Sequence, residues 1–218
     1  MDVRVVCISR TLAAGGELIG QMVAQRLGFR YVDEHIITKA AAIAQVDPAL
    51  VAAAEHRRPL LQRLIDKLAA ASELVGPLSL ATGVPMDIFA KPPQGYRVTP
   101  EDLQVLIRVA IHEVAATGQS VIVAHAASMA LAGTAGVLRA LITASPDTRV
   151  QRLVSQGARQ EEAAKSVAAS DRERRDYIRR FYGVADELPT HYDVVINTDV
   201  LPLAQAKEAI VALAERPA

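Results

Sequence analysis

The chain has 218 residues, with 24 Lys+Arg against 24 Asp+Glu, so its formal net charge is zero. Hydrophobic residues at 51% and charged residues at 22% describe a globular chain of one large or two small domains and exclude the disordered regime. A pI near 7.0, aromatics at 4% and no Trp argue against a nucleic-acid partner held by bulk positive charge or base stacking. Cys7 is the single cysteine, which excludes an intramolecular disulfide framework and a Cys-rich zinc site. The opening MDVRVVCISR lacks the apolar stretch of a signal peptide, and no run long enough to span a membrane follows. The expectation is a soluble, cytoplasmic chain with no membrane partner.

Taken in chain order, Val3–Ser9 reads as a strand apolar enough to be covered on both faces. Glu17–Leu27 then repeats apolar residues at Leu18, Ile19, Met22, Val23 and Leu27, the period of a helix packed on a sheet, and Gly28 ends it. A short strand is expected at Arg30–Val32. Glu34–Gln45, Asp47–Arg57 and Leu60–Leu74 are Ala/Leu-rich helical stretches, and five of the eleven prolines then fall between Pro77 and Pro100. Further on come a helix at Pro100–Ala116, a strand at Ser120–His125, a strand at Val137–Ala144 and a helix at Asp147–Gln156. A highly charged helix at Gln160–Tyr182 and a strand at Tyr192–Thr198 complete the pattern. Alternating strands and helices predict an α/β fold with a parallel five-stranded sheet. The span 34–117 is too long for one crossover and reads as a helical insertion; 158–183 reads as a second appendage. Two appendages flanking one sheet suggest elements that close over a substrate.

Between the first strand and the first helix lies a small-residue loop, TLAAGG. That is where α/β proteins place phosphates, because backbone N–H groups and the helix N-terminus make an anion site there. The strict G-x-x-x-x-G-K-[ST] pattern is absent from the chain. A turn softened by glycine, with no ligand, explains the loop equally well.

Cys7-Ile8-Ser9-Arg10, then Gly15-Gly16-Glu17-Leu18-Ile19-Gly20, then Leu27-Gly28-Phe29-Arg30-Tyr31-Val32-Asp33 resembles the opening of the cytidylate kinase-like family. That family reads I-S-R-x-x-G-S-G-G-R-E-I, followed by a helix and L-G-x-x-Y-x-D. Val121-Ile122-Val123 sits where the family has a V-I-V-G-R-G strand end. Ser170-Asp171-Arg172-Glu173-Arg174 through Tyr182-Gly183 resembles its lid, T-D-x-x-R ending Y-Y-x-G, and Tyr192–Thr198 resembles its last strand. The resemblance covers nearly the whole chain in the right order. It implies a single domain over 1–218: a three-layer α/β/α P-loop-kinase-like core (1–33 and 118–218), a helical acceptor-site insertion (34–117) and a helical lid (158–183). It also implies ATP, Mg2+ and a CMP-like nucleoside monophosphate as ligands, small nucleotide molecules as partners, and leaves a homodimer open.

The departures fall on the loop. Ala13 and Ala14 stand where the family has Gly and Ser, and Glu17 stands where it has a basic residue; His125 and Ala124 replace Arg and Gly. A carboxylate facing polyphosphate is repulsive, and a helix N-terminus offers only about half a positive charge. Glu17 is also an ordinary first-turn helix residue. The strand Ser120–His125 does not end in the Asp that many phosphotransferases use toward magnesium.

The implied site therefore has Ala14, Gly15, Gly16, Glu17, Leu18 and Arg152 around the cofactor, and Asp33 and His125 toward the acceptor. Arg10 and the lid residues Arg172, Arg175 and Arg179 would neutralise phosphate charge. Arg172, Arg175 and Arg179 share one helical face by their spacing. The alternative is a solvated helix whose arginines pair with Asp171, Glu173 and Asp176. Arg149 and Arg152 either stack on a base or cover the sheet edge. Asp33 either faces a ligand or caps the next helix; Arg10 either supplies loop charge or pairs with Asp2 or Glu34. No metal-ligand spacing, hydrolase elbow or catalytic triad is visible. Three readings remain: a nucleoside monophosphate kinase, a silent nucleotide- or phosphate-binding protein, and a structural module.

Overall fold

The computed structural model describes residues 2–33, 100–123 and 126–216, with only the helical backbone at 100–106 and 109. Contacts divide the chain into two compact units, Met1–Ile36 with Ile107–Ala218, and Ile37–Leu106. The helices expected over 34–74 and the proline-rich stretch over 77–99 lie outside the described residues.

In chain order the described elements are β1 (Val5–Arg10), α1 (Gly16–Leu27), β2 (Arg30–Val32), α2 (Pro100–Ala116), β3 (Ser120–Ile122) and α3 (Ala127–Ala130). Then come β4 (Val137–Thr143), α4 (Pro146–Ser155), α5 (Gln160–Tyr182), a 3-10 turn (Pro189–His191), β5 (Val194–Asn197) and α6 (Leu203–Ala214). The strands form one five-stranded sheet in the order β2-β3-β1-β4-β5, every pairing parallel. β1 pairs with β4 from Val5↔Val137 to Arg10↔Ile142, and with β3 from Val5↔Ser120 to Cys7↔Ile122.

The strand expected at Val3 enters the ladder at Val5 and runs on to Arg10, because its last residue still pairs with Ile142. The last strand is shorter than expected, since the N–H of Tyr192 closes the 3-10 turn on Pro189 O. α6 and the single turn of α3 are not foreseen in the sequence reading, although α6 buries one stripe, Ala206, Ile210, Val211 and Ala214.

Alternation along β1 sends Val6 and Ile8 into one core and Cys7 and Ser9 toward the opposite face. On the first face α1 and α6 pack together: Ile19, Val23, Ile210 and Val211 meet Val6, Ile8, Ala140, Ile142 and Ile196. Elsewhere α5 packs on α4 through Val150, Ala163 and Val167, and on α3 through Tyr177, Ile178 and Phe181 around Ala126. Each fully buried Ile or Val contributes about 1.5–3 kcal/mol of apolar burial. Among the described residues no helix is long and apolar enough to cross a membrane.

β1 is flanked by β3 on one side and β4 on the other, so successive connections leave it in opposite directions. The strand order thus reverses at β1, and the carboxyl end of the strands at such a switch point is where open α/β sheets bind ligands. Ile142 is fully buried at the middle of the sheet's largest core. Ile142→Ala is expected to cost about 3 kcal/mol, transfer plus residual cavity, read as a lower urea midpoint with unchanged slope.

Candidate functional site

At the carboxyl edge of the sheet the chain leaves β1 and enters α1 within the five residues Thr11 to Gly15. The N–H of Thr11 still bonds Ile142 O, and the N–H of Ala14 turns back to Thr11 O at 3.1 Å. Ala13 and Gly15 both take positive φ, 60° and 87°. Gly15 is the N-cap of α1, and the first helical bond runs from Ile19 N–H to Gly15 O. The N–H groups of Gly15, Gly16, Glu17 and Leu18 thus precede any helical acceptor and form the positive end of α1. A Cβ at Gly16 would lie 2.5 Å from Arg10 Cβ, and one at Gly15 2.6 Å from Leu203 Cδ2. Close approach, together with the left-handed backbone of Gly15, explains why both positions are glycine.

The back of the loop is tied to the far end of the chain. Arg152, on α4, donates from Nη1 to Ala13 O at 3.1 Å and to Thr198 Oγ1 at 3.0 Å, and from Nη2 to Thr198 O at 2.7 Å. The buried Thr198 hydroxyl lies within donating reach of Ala14 O at 2.9 Å and Thr143 O at 3.2 Å. Asp199 accepts the Ser145 N–H at the start of α4, which fixes that helix against the same turn.

At the front of the loop Arg10 Nη2 pairs with Glu17 Oε1 at 2.7 Å. Glu17 lies in the first turn of α1; of the pairings considered for Arg10 from the sequence, Glu34 lies outside the described residues. Leu18 is 56% exposed on that same first turn.

The family model of the cytidylate kinase-like family matches residues 5–200. The chain belongs to the cytidylate kinase-like family. Its structure is similar to that of an uncharacterized protein from Eubacterium ventriosum ATCC 27560 at TM-score 0.62 and 14% identity, covering 98% of this chain and 99% of that one. It is also similar to shikimate kinase from Bacteroides thetaiotaomicron at TM-score 0.52 and 13% identity, covering 97% and 98%. At these identities the likeness is one of fold, a three-layer α/β/α P-loop-kinase-like architecture. No curated protein sequence matches the chain.

In this cytidylate kinase-like chain the residues that match the lid pattern T-D-x-x-R, Asp171 and Arg174, are both buried or half-buried in ion pairs. Arg149, 3% exposed, grips Asp171 through both nitrogens at 2.8 and 2.6 Å and donates from Nε to Ala144 O. Arg174 donates to both oxygens of Glu187, and the Tyr192 hydroxyl donates to Glu187 as well. Asp171 is therefore taken by α4 and is not the local partner of the exposed lid arginines. Arg172, Arg175 and Arg179 do share one face, and it is the exposed face, opposite the stripe of Ala163, Val167, Tyr177, Ile178 and Phe181 that packs. Arg149, considered from the sequence as a base-stacking or edge-covering residue, is instead buried against Asp171, and Arg174, Glu187 and Tyr192 were not among the sequence-derived site residues. The lid pattern itself pointed to Arg174, whereas Glu187 and Tyr192 carry no local signal.

Asp33 follows β2 on the same carboxyl edge, with β3 between β2 and β1. His125 and Ala124 lie outside the described residues. Burial pushes the Cys7 thiol up to about 12, which keeps it neutral and unreactive. Among the described residues no group of three or more His, Cys, Asp or Glu could hold a metal by itself. Magnesium in phosphate sites is held by one or two protein oxygens plus the phosphates, a lighter demand. The loop offers such a donor in the Thr11 hydroxyl, whose oxygen is buried without a hydrogen-bond partner.

Burial pushes the Glu187 carboxyl up, but the hydrogen bonds and charge of Arg174, with Tyr192, pull it further down, so it lies below the ordinary carboxylate value. A depressed carboxylate stabilises the fold above its unfolded value of about 4.3 and loses that contribution as pH falls through the lower folded value. Glu187→Gln is expected to cost about 3 kcal/mol at pH 7, because it leaves the Arg174 charge buried and unpaired. Urea denaturation at pH 7, 5 and 3 should show a smaller acid loss in the variant than in the parent.

Proposed function

We propose that the chain binds a nucleoside phosphate at the loop between β1 and α1 and transfers a phosphoryl group from ATP, with magnesium, to a CMP-like nucleoside monophosphate. The observation that carries this reading is the loop itself. Four backbone N–H groups at the start of α1 lie at the carboxyl end of the central strand, where the strand order reverses. Gly15 and Gly16 present backbone there with no Cβ in the way, and Ala14, Glu17 and Leu18 complete the turn. Arg10 borders the loop and is the cation positioned to meet a phosphate. Magnesium, when bound, neutralises phosphate charge, and the Thr11 hydroxyl is the loop oxygen that would hold it. Asp33, on the same edge, would orient the acceptor. Phosphoryl transfer asks little covalent chemistry of a protein, so these residues would act by position and charge. In this reading Arg172, Arg175 and Arg179 reach the ligand only through a movement of α5, since they lie opposite its packed face.

The Arg10–Glu17 pair favours a second reading, a phosphate-binding protein with little or no turnover. The Glu17 carboxylate already neutralises Arg10 at 2.7 Å, so a ligand has to displace it. Titration calorimetry with ATP, with and without magnesium, and a coupled CMP/ATP assay separate the readings. Binding with turnover supports the kinase, binding without turnover the silent protein, and no binding at millimolar nucleotide overturns both.

Glu17→Arg exchanges the paired carboxylate for a second cation at the loop mouth. At about 5 Å and an effective dielectric near 20, one unit charge acts on another by roughly 3 kcal/mol before solvent screening. A fraction of that is expected to raise ATP affinity about tenfold in the same calorimetric titration. Arg175→Ala and Arg179→Ala are expected to weaken phosphate-bearing ligands while leaving nucleoside binding nearly unchanged. If both variants bind nucleotides as the parent does, that face of α5 is only a solvated surface.

A further inference from the structure

We infer that Arg152 is the positioning residue of the loop: it holds the Ala13 peptide, and through Thr198 the Ala14 peptide, so that the loop turns N–H groups and not carbonyls toward its ligand. This rests on the phosphate-binding reading above. In a trans peptide the carbonyl of one residue and the N–H of the next point in opposite directions. With Ala13 O on Arg152, the N–H of Ala14 is turned to Thr11 O, which closes the loop. With Ala14 O on Thr198, the N–H of Gly15 is turned to the side away from Thr198. Release of either peptide would let a carbonyl oxygen swing toward the ligand, where it repels an anion.

Two further observations support the assignment. Ala13 sits at φ 60°, a left-handed conformation that Ala adopts only under constraint and that Gly adopts freely. The family pattern has Gly at this place; here Ala stands there and a guanidinium grips its carbonyl. Further, every contact of Arg152 reported above is to Ala13 or Thr198, two acceptors separated by most of the chain. An arginine fork suits that double grip, and a lysine point charge does not. The guanidinium also places positive charge behind the loop, while Glu17 balances Arg10 at the front. Asp199, next to Thr198, is engaged with the Ser145 N–H.

The test uses the full chain and ATP·Mg as probe. Arg152→Ala is expected to weaken ATP·Mg by roughly tenfold or more in titration calorimetry, the scale of lost charge-assisted hydrogen bonds. Arg152→Lys, which keeps the charge and loses the fork, is expected to fall between the two. Ala13→Gly, added to Arg152→Ala, is expected to recover part of the lost affinity, because glycine holds the left-handed turn unaided. Wild-type affinity in Arg152→Ala overturns the inference. So does a weakened Arg152→Ala that Ala13→Gly leaves unchanged, since that result marks a direct ligand contact. Amide hydrogen exchange on the ligand-free proteins reads the same grip without a nucleotide. Arg152→Ala, or Thr198→Val if the first does not fold, is expected to speed exchange at residues 14–18 and leave β4 amides unchanged. Equal exchange at 14–18 overturns the inference even if the wild type binds no nucleotide, an outcome that would overturn the proposed function separately.

Discussion

A central strand in an all-parallel sheet has to leave at its carboxyl edge and pass straight into a helix, and here five residues separate Arg10 from Gly16. That short span imposes the positive φ values at Ala13 and Gly15, the missing Cβ at Gly16 and the turn from Ala14 back to Thr11. The same constraint leaves four helix N–H groups at the carboxyl edge of the sheet. Everything functional about the edge follows from how that turn is held. Its front is held by Arg10 and Glu17, and its back by Arg152 and Thr198.

The arginines of this chain divide by depth more than by position in the sequence. Arg149 and Arg174 are interior, each bound to a carboxylate from another element, and they dock α5 against α4 and against the turn before β5. A buried pair of this kind costs desolvation that only good geometry offsets, and both pairs use two nitrogens on two oxygens. Arg172, Arg175 and Arg179 remain on the exposed face of the same helix. Tyr192 extends the interior cluster: burial and the Glu187 charge push its hydroxyl above the ordinary tyrosine range, so it stays protonated and donates. Ser9, one residue before Arg10, donates to the Ser128 hydroxyl at 3.2 Å.

Much of the framework was legible before any coordinates. Strands such as VVCIS and VLRALIT are apolar at nearly every position, which only a sheet covered on both faces requires. Helix α5 was legible to the residue because Arg159 and Gly183 bound a continuous charged run. The resemblance to the cytidylate kinase-like family was legible because its motifs keep their order from Cys7 to Thr198, and the family model matches 5–200. The helix α6 was missed although its buried stripe, Ala206, Ile210, Val211 and Ala214, keeps helical spacing, because no cap residue or family motif marks its start.

The sequence by itself determined the parallel α/β class, the place of the loop and the unusual acid at position 17, because these depend on local period, composition and motif order. Which partner each charge takes was decided only by the tertiary structure. Ala13 meets Arg152 across 139 positions and Ala14 meets Thr198 across 184. Asp171 meets Arg149 rather than an arginine on its own helix. The physical reason is that a guanidinium on a long side chain has several carboxylates and carbonyls within its sequence neighbourhood, all similar in energy when solvated. Burial removes the water from one of these and makes that single contact far stronger than the rest, and burial is set by packing between elements remote in sequence.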